Sequence, residues 1–283
     1  MIGEYNLQIK NRLINRGEND KDDCRIRSIR MLPDGNILLL DESNLKLKKL
    51  DISYNVVSHC DIFPLSDSSS WIDVCYIGND RAVVCCDNGR IQYVNVLGKM
   101  KLDHDVKLDH NCLALACHGD TLYASGGDAI YTYTIHCQGK HLLYNIKVTD
   151  PLFSSRIAIS DDGERIYIAN GTEGLITIDN KGNCLFTLKP DTWYLISDVC
   201  VVGDGTLLLL DGLASVHQVE YSGKQVLGTV VDQSYILSVP TSLCFDRQRC
   251  RLIVSTKGRN IVYVFMLQHH NSELTYWMSE INN

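Results

Sequence analysis

The chain has 283 residues, 45% of them apolar and 22% charged, which suffices for a sizeable core and lies far from collagenous, coiled-coil or disordered compositions. Its formal net charge of -7 argues against a general binder of nucleic-acid backbone, because such affinity depends on clustered Lys and Arg. No apolar run approaches the roughly 18–20 residues that span a bilayer, and the segment from Met1 lacks a basic stretch followed by an apolar one, so a cytoplasmic protein with no membrane partner is expected.

The first predicted element is a short strand, Glu4 to Lys10, followed by a charged connector, Gly17 to Asp23. One pattern then recurs: an apolar run, a turn of Asp, Gly or Asn, and a second apolar run. Its first copy is Ile29 to Leu40 around Pro33-Asp34-Gly35-Asn36. Further copies are Val74 to Cys86 around Gly78-Asn79-Asp80, Leu113 to Ser125 around Gly119-Asp120, and Ile157 to Ala169 around Asp161-Asp162-Gly163. The last two are Val199 to Leu210 around Gly203-Asp204-Gly205 and Leu243 to Ser255 around Asp246-Arg247-Gln248-Arg249. One position after each turn gives Ile37, Ala82, Leu122, Ile166, Leu207 and Leu252, at intervals of 45, 40, 44, 41 and 45 residues. Short runs of Val, Ile, Leu and Tyr broken every few residues by turn formers are strands, and no helical period appears.

The second half of each unit repeats as well. Gly98, Gly139, Gly182 and Gly223 sit in tight turns 41, 43 and 41 residues apart, each between two further runs. Each unit therefore reads as four strands, a to d, and the chain as one all-β, six-bladed β-propeller of four-stranded antiparallel blades. The blades lie near residues 24–65, 69–108, 110–149, 152–191, 193–233 and 238–267. The sixth unit has clear a, b and c strands; its d strand is expected from residues 4–10, which would hide both chain ends in one blade, with Glu273 to Ser279 as the rival. A monomeric ring is expected.

Twelve cysteines occur without any Cys-x-x-Cys pair, so no zinc ribbon or finger is encoded. Cys75, Cys200 and Cys244 lie inside apolar runs and read as small buried hydrophobes; the vicinal Cys85 and Cys86 should face opposite ways on a strand. No cofactor or resident metal is expected, and no nucleophile elbow, phosphate loop or catalytic triad can be argued.

Three segments, Ile29 to Asp41, Ile157 to Ile168 and Ser242 to Val254, carry a family resemblance. With them the chain resembles the C-terminal NHL-like propeller of invertebrate tripartite-motif (TRIM) proteins over about residues 24–267. The resemblance implies a propeller that recruits a substrate or RNA in a ubiquitin-pathway setting. In that family a separate RING and B-box module carries out the transfer, and its Cys/His spacing is absent here, so this chain is expected to lack catalytic activity of its own.

The d–a loops carry Asp67, Asp109, Asp150, Asp191 and Asp232 at intervals of 42, 41, 41 and 41 residues, beside Trp71, Phe153, Trp193, Tyr194 and Tyr235. The b–c loops add Asp41, Glu42, Asp87, Asp128, Glu173 and Asp211. An acidic rim with aromatic anchors suits a basic or amphipathic protein segment. The competing explanation is that Asp recurs because it makes good turns. Two alternatives remain. RNA binding would rest on Lys46, Lys48 and Lys49 of strand c in the first blade, but only Lys46 and Lys48 share a face, and a solvated lysine face is the ordinary reading of such a strand. A metal-dependent lactonase or esterase would rest on Asp73 and Asp198, the two inward carboxylates of matching a strands.

Overall fold

The turns marked by Gly, Asp and Asn reverse the chain where the sequence places them. Gly35 adopts φ 82° in the first hairpin. Gly182 adopts φ 85° in a turn where any Cβ would collide with the Leu143 carbonyl of the neighbouring blade, so a side chain is excluded on two counts. The computed structural model describes residues 5–13, 20–62, 70–146, 155–171, 173–193, 195–203, 205–236, 238–257 and 260–269.

Strand β1 spans Tyr5–Leu13. Blade 1 is β2 Ile26–Met31, β3 Ile37–Asp41, β4 Lys46–Leu50 and β5 Val56–Asp61. Blade 2 is β6 Trp71–Gly78, β7 Arg81–Cys86, β8 Arg90–Asn95 and β9 Lys101–Lys107. Blade 3 is β10 Ala114–His118, β11 Thr121–Ser125, β12 Ala129–Thr134 and β13 His141–Asn145. Blade 4 is β14 Arg156–Ile159, β15 Arg165–Asn170, β16 Gly174–Asp179 and β17 Cys184–Leu188. Blade 5 is β18 Ile196–Val201, β19 Leu207–Asp211, β20 Val216–Val219 and β21 Val226–Val231. Blade 6 is β22 Pro240–Asp246, β23 Arg251–Thr256 and β24 Ile261–His269, with β1 as its outer strand.

Each blade is a four-stranded antiparallel sheet, and the six blades form a β-propeller. Among the described residues there is no α-helix, only a single 3-10 turn at Gln233–Tyr235. In blade 6, β1 runs antiparallel to β24 from Tyr5 opposite His269 to Leu13 opposite Ile261, so the chain's N-terminal strand closes the ring. The rival segment, Glu273 to Ser279, lies outside the described residues.

The core lies between blades, not within them. Leu38 and Leu40 of β3 pack towards Val74, Val84 and Val94 of blade 2, while Ile37 and Leu39 pack towards Cys244, Ile253 and Val264 of blade 6. The second strand of a blade is thus covered on both faces, which is why it reads as an unbroken apolar run such as Leu207-Leu208-Leu209-Leu210. Cys85 and Cys86 obey the same geometry: Cys85 joins the cluster against blade 3 and Cys86 the cluster against blade 1. No cysteine is disulfide-bonded; Cys184 and Cys250 are exposed and the rest are buried or half-buried.

Candidate functional site

The d–a and b–c loops share one face of the ring, at the mouth of the central channel. Hydrogen bonds join the two loop sets: Gly212 N donates to Leu195 O, and Lys257 N donates to Val239 O.

Of the d–a aspartates, Asp109 is exposed and receives Lys140 Nζ at 2.7 Å. Asp191 is exposed. Asp232 is exposed and accepts Ser234 N at 2.9 Å, capping the short 3-10 turn that presents Tyr235 to solvent. Asp67, Asp150, Phe153 and Tyr194 lie outside the described residues. The two tryptophans correct the expectation of exposed anchors. Trp71 is wholly buried among Leu38, Leu40 and Met100, because it opens β6 at the seam between blades 1 and 2. Trp193 is also buried, stacked on His217 at 5.5 Å. Exposed apolar groups that sequence reasoning missed lie instead at Leu213 and Val239, 49% and 62% exposed, beside Tyr235 at 41%.

Several b–c acids are internal braces. Asp41 accepts Arg25 N at 3.1 Å and Lys48 Nζ at 2.6 Å, and both oxygens of Asp87 accept Ser70 N at 3.0 Å. Asp211 is buried and accepts Leu213 N at 2.8 Å, which shapes the loop carrying that leucine. Turn chemistry accounts for these residues.

The lysines of β4 are neither a basic patch nor a solvated face. Lys46, Lys48 and Lys49 are all buried, because β5 covers the strand and acids of the connector reach over it. Lys48 Nζ lies 2.6 Å from Asp20, 2.6 Å from Asp41 and 3.1 Å from Cys24 Sγ, and Lys46 Nζ lies 2.7 Å from Asp20. Asp20, Cys24 and Asp41 form the one described group whose ligand atoms lie close enough for a metal, and the Lys48 ammonium sits among them. Burial costs the ammonium, but its acidic and thiol partners outweigh that and raise its pKa, while burial lifts the Cys24 thiol to about 11. Lys49 donates to Val96 O at 2.8 Å and Gly98 O at 3.2 Å in the next blade.

Inside the channel, matching register places Ser28, Asp73, Ala114, Arg156, Asp198 and Ser242 in one layer of the six innermost strands. Asp73 accepts Arg156 Nη1 at 2.9 Å, Arg30 Nη2 at 3.0 Å and Leu115 N of blade 3 at 3.0 Å. Asp198 repeats this geometry half a turn away, accepting Ser242 Oγ at 2.6 Å and Leu243 N at 3.0 Å, with Arg30 Nη1 at 3.7 Å. Arg156 crosses from blade 4 to donate to Arg27 O at 2.9 Å and Ile72 O at 3.2 Å. Burial would raise the Asp73 pKa, but Arg156 and Arg30 together hold it below the ordinary carboxylate value. Both aspartates are thus engaged by arginine and backbone N–H groups, not by an open set of oxygens awaiting a divalent ion. Arg30 and Arg156 were legible as partners: Arg156 holds the register position of the aspartates, and Arg30 lies two residues beyond it on its own strand.

No family model matches the chain, and no curated protein matches it. Solved structures match in fold. A protein of unknown function from Bacteroides thetaiotaomicron shares 11% identity at a TM-score of 0.72, over 93% of this chain and 77% of its own. Virginiamycin B lyase from Staphylococcus aureus shares 12% identity at a TM-score of 0.61, over 94% of this chain and 100% of its own. At such identity the likeness extends to the propeller alone. Among the described residues no helix is long and apolar enough to cross a membrane.

Proposed function

We propose that the chain is a protein-interaction propeller that holds a basic or amphipathic segment on its loop face, at the blade 5–6 end. The observation that carries this is the grouping of exposed Leu213 and Asp191, in two loops joined by Gly212 N to Leu195 O, with exposed Tyr235, Val239 and Asp232 of the next loop, which meets the first through Ala214 and Ile236 in one core cluster. Apolar anchors inside a charged border are the composition of a recognition patch. The sequence resemblance supports a TRIM-type, ubiquitin-pathway setting in which catalysis belongs to other modules. RNA is the weaker ligand, since the only dense lysine cluster is buried and paired.

Selection of a random twelve-residue peptide display library on the immobilised chain tests the proposal. Enriched peptides should carry Lys or Arg beside aromatic or aliphatic residues. Their binding should weaken with salt and fall on Leu213→Asp or Tyr235→Ala. Enriched peptides that ignore both substitutions, or an RNA homopolymer that binds more tightly and does the same, would overturn it.

A further inference from the structure

At the blade 1 side of the channel mouth, two arginines are short of acceptors. Arg27 is the extra residue of a β-bulge between Ile26 and Ser28, where β2 slips register against β3. Bulges re-aim a side chain, and they occur next to functional sites. The same slip in β18 and β22 brings in Ser197 and Thr241, but these are closed off by Leu210 O at 3.2 Å and Ile26 O at 2.7 Å. In β6 the extra residue is Ile72, which is buried.

Arg27 differs. Its backbone carbonyl is taken by Arg156, yet among the described residues its guanidinium makes no hydrogen bond. Among the described residues its salt-bridge partner is Glu42 Oε2 at 3.8 Å, and Arg25 Nε shares that oxygen at 3.0 Å. Arg27 Nε, Arg25 Nε and Glu42 Oε2 are all shielded from solvent without a well-formed hydrogen bond. Two forks of donors converge on one carboxylate, and with 31% of the Arg27 and 39% of the Arg25 side chain exposed, both forks can be reached by a ligand from solvent. Asp73 cannot relieve them, since Arg156, Arg30 and Leu115 occupy it.

We propose that Arg27, with Arg25 beside it, takes a single carboxylate of the bound protein segment at the channel mouth. This rests on the protein-binding reading of the loop face. A planar carboxylate matches the guanidinium fork in two parallel hydrogen bonds. A polyanion does not suit the place. Glu42 and Asp87 already stand beside Arg27, and the chain as a whole carries -7. The bound segment then spans the face, its apolar and basic part over blades 5 and 6 and its carboxylate at blade 1.

The test is a titration of the full chain with three probes, followed by NMR through the Arg27 Nε–Hε signal. N-acetyl-aspartate N-methylamide stands for a side-chain carboxylate, N-acetyl-alanine for a chain terminus, and inorganic phosphate for a phosphoryl source. A saturable shift with one or both carboxylates is expected, the tighter of the two naming the source. The accompanying shifts of the neighbouring Arg25 Nε–Hε and Glu42 backbone amide signals should vanish in Arg27→Gln and be largely lost in Arg27→Lys, which keeps the charge and removes the fork, with circular dichroism unchanged in both. The display-selected peptides should bind Arg27→Gln about tenfold or more weakly. No saturable shift, or saturation by phosphate alone, overturns the inference. So do peptides that depend on Tyr235 and ignore Arg27→Gln, although the loop-face reading then stands. Saturation by a carboxylate while no peptide binds the loop face keeps the carboxylate site and removes that reading.

Discussion

At the scale of single residues, aromatic identity says little until burial is known. Trp71 and Tyr235 both flank a loop aspartate in sequence, yet one is sealed at a blade seam and the other stands in solvent. Their substitutions should therefore part company. Trp71→Ala empties a packed site and should cost about 3–5 kcal/mol of stability in denaturant unfolding. Tyr235→Ala should cost less than about 0.5 kcal/mol of stability, and about 2 kcal/mol of peptide affinity by calorimetry. Equal losses of stability in the two variants would show that Tyr235 is structural. The lysines of β4 teach the same lesson with the sign reversed. A strand reading Lys-Leu-Lys-Lys-Leu alternates over Lys46 to Lys48 as a half-solvated strand should, and Lys49 breaks the alternation. What turns it inward is the carboxylate of Asp20, which reaches Lys46 and Lys48 from a connector more than 25 residues away. A two-residue period cannot register a partner that distant in sequence.

At the scale of elements, the sequence carried most of the fold, because each blade repeats its own turn chemistry. The positions just after the first turns, Ile37 through Leu252, all fall in second strands, and those strands are mainly apolar between their ends because both faces meet other blades. The candidate site was less legible. Exposed Leu213 depends on how Asp211 folds the loop before it, and the channel network depends on which blades stand opposite one another. Neither is a local property. The sequence favours a closing strand from the N-terminus because that pairing hides both edges, although the C-terminal segment is a rival that it does not dismiss. In the structure β1 covers the full length of β24. Removing residues 1–13 should leave β24 as a bare edge and uncover both ends of the ring. A loss of about 3 kcal/mol corresponds to a fall in melting temperature of at least about 6 °C. An unchanged melting temperature would contradict closure by β1, and a drop produced by removing residues 272–283 would move the closure to the other terminus.

At the scale of the whole molecule, one buried charge network ties the ring across its centre. Asp73 gathers groups from blades 1, 3 and 4, and Arg30 links it to Asp198, which binds blade 6. Opening any seam beside these groups strands a charge in a poorly solvated place, so the blades should part together. Such a network makes stability depend on acid in a definite direction. The folded pKa of Asp73 lies below that of an unfolded aspartate, about 3.9, because Arg156 and Arg30 overcome the effect of burial. As pH falls, the unfolded chain takes up this proton first. The stabilisation is therefore complete above the unfolded value and is lost as pH falls through the folded one. Asp73→Asn should cost about 3–5 kcal/mol at pH 7, since it leaves Arg156 buried without its counter-charge and Arg30 with Asp198 alone. The gap between wild type and variant should then narrow below about pH 4 as the wild type loses what the variant never had. Asp162, held at about 2 mainly by Ser160, adds an acid-sensitive slope common to both proteins and cancels in the comparison. Urea unfolding at a series of pH values from 7 to 2.5 reads the gap directly. A gap that stays constant over that range would mean that Asp73 is not ionised against its arginines, and that the ring is held across its centre by packing and neutral hydrogen bonds alone.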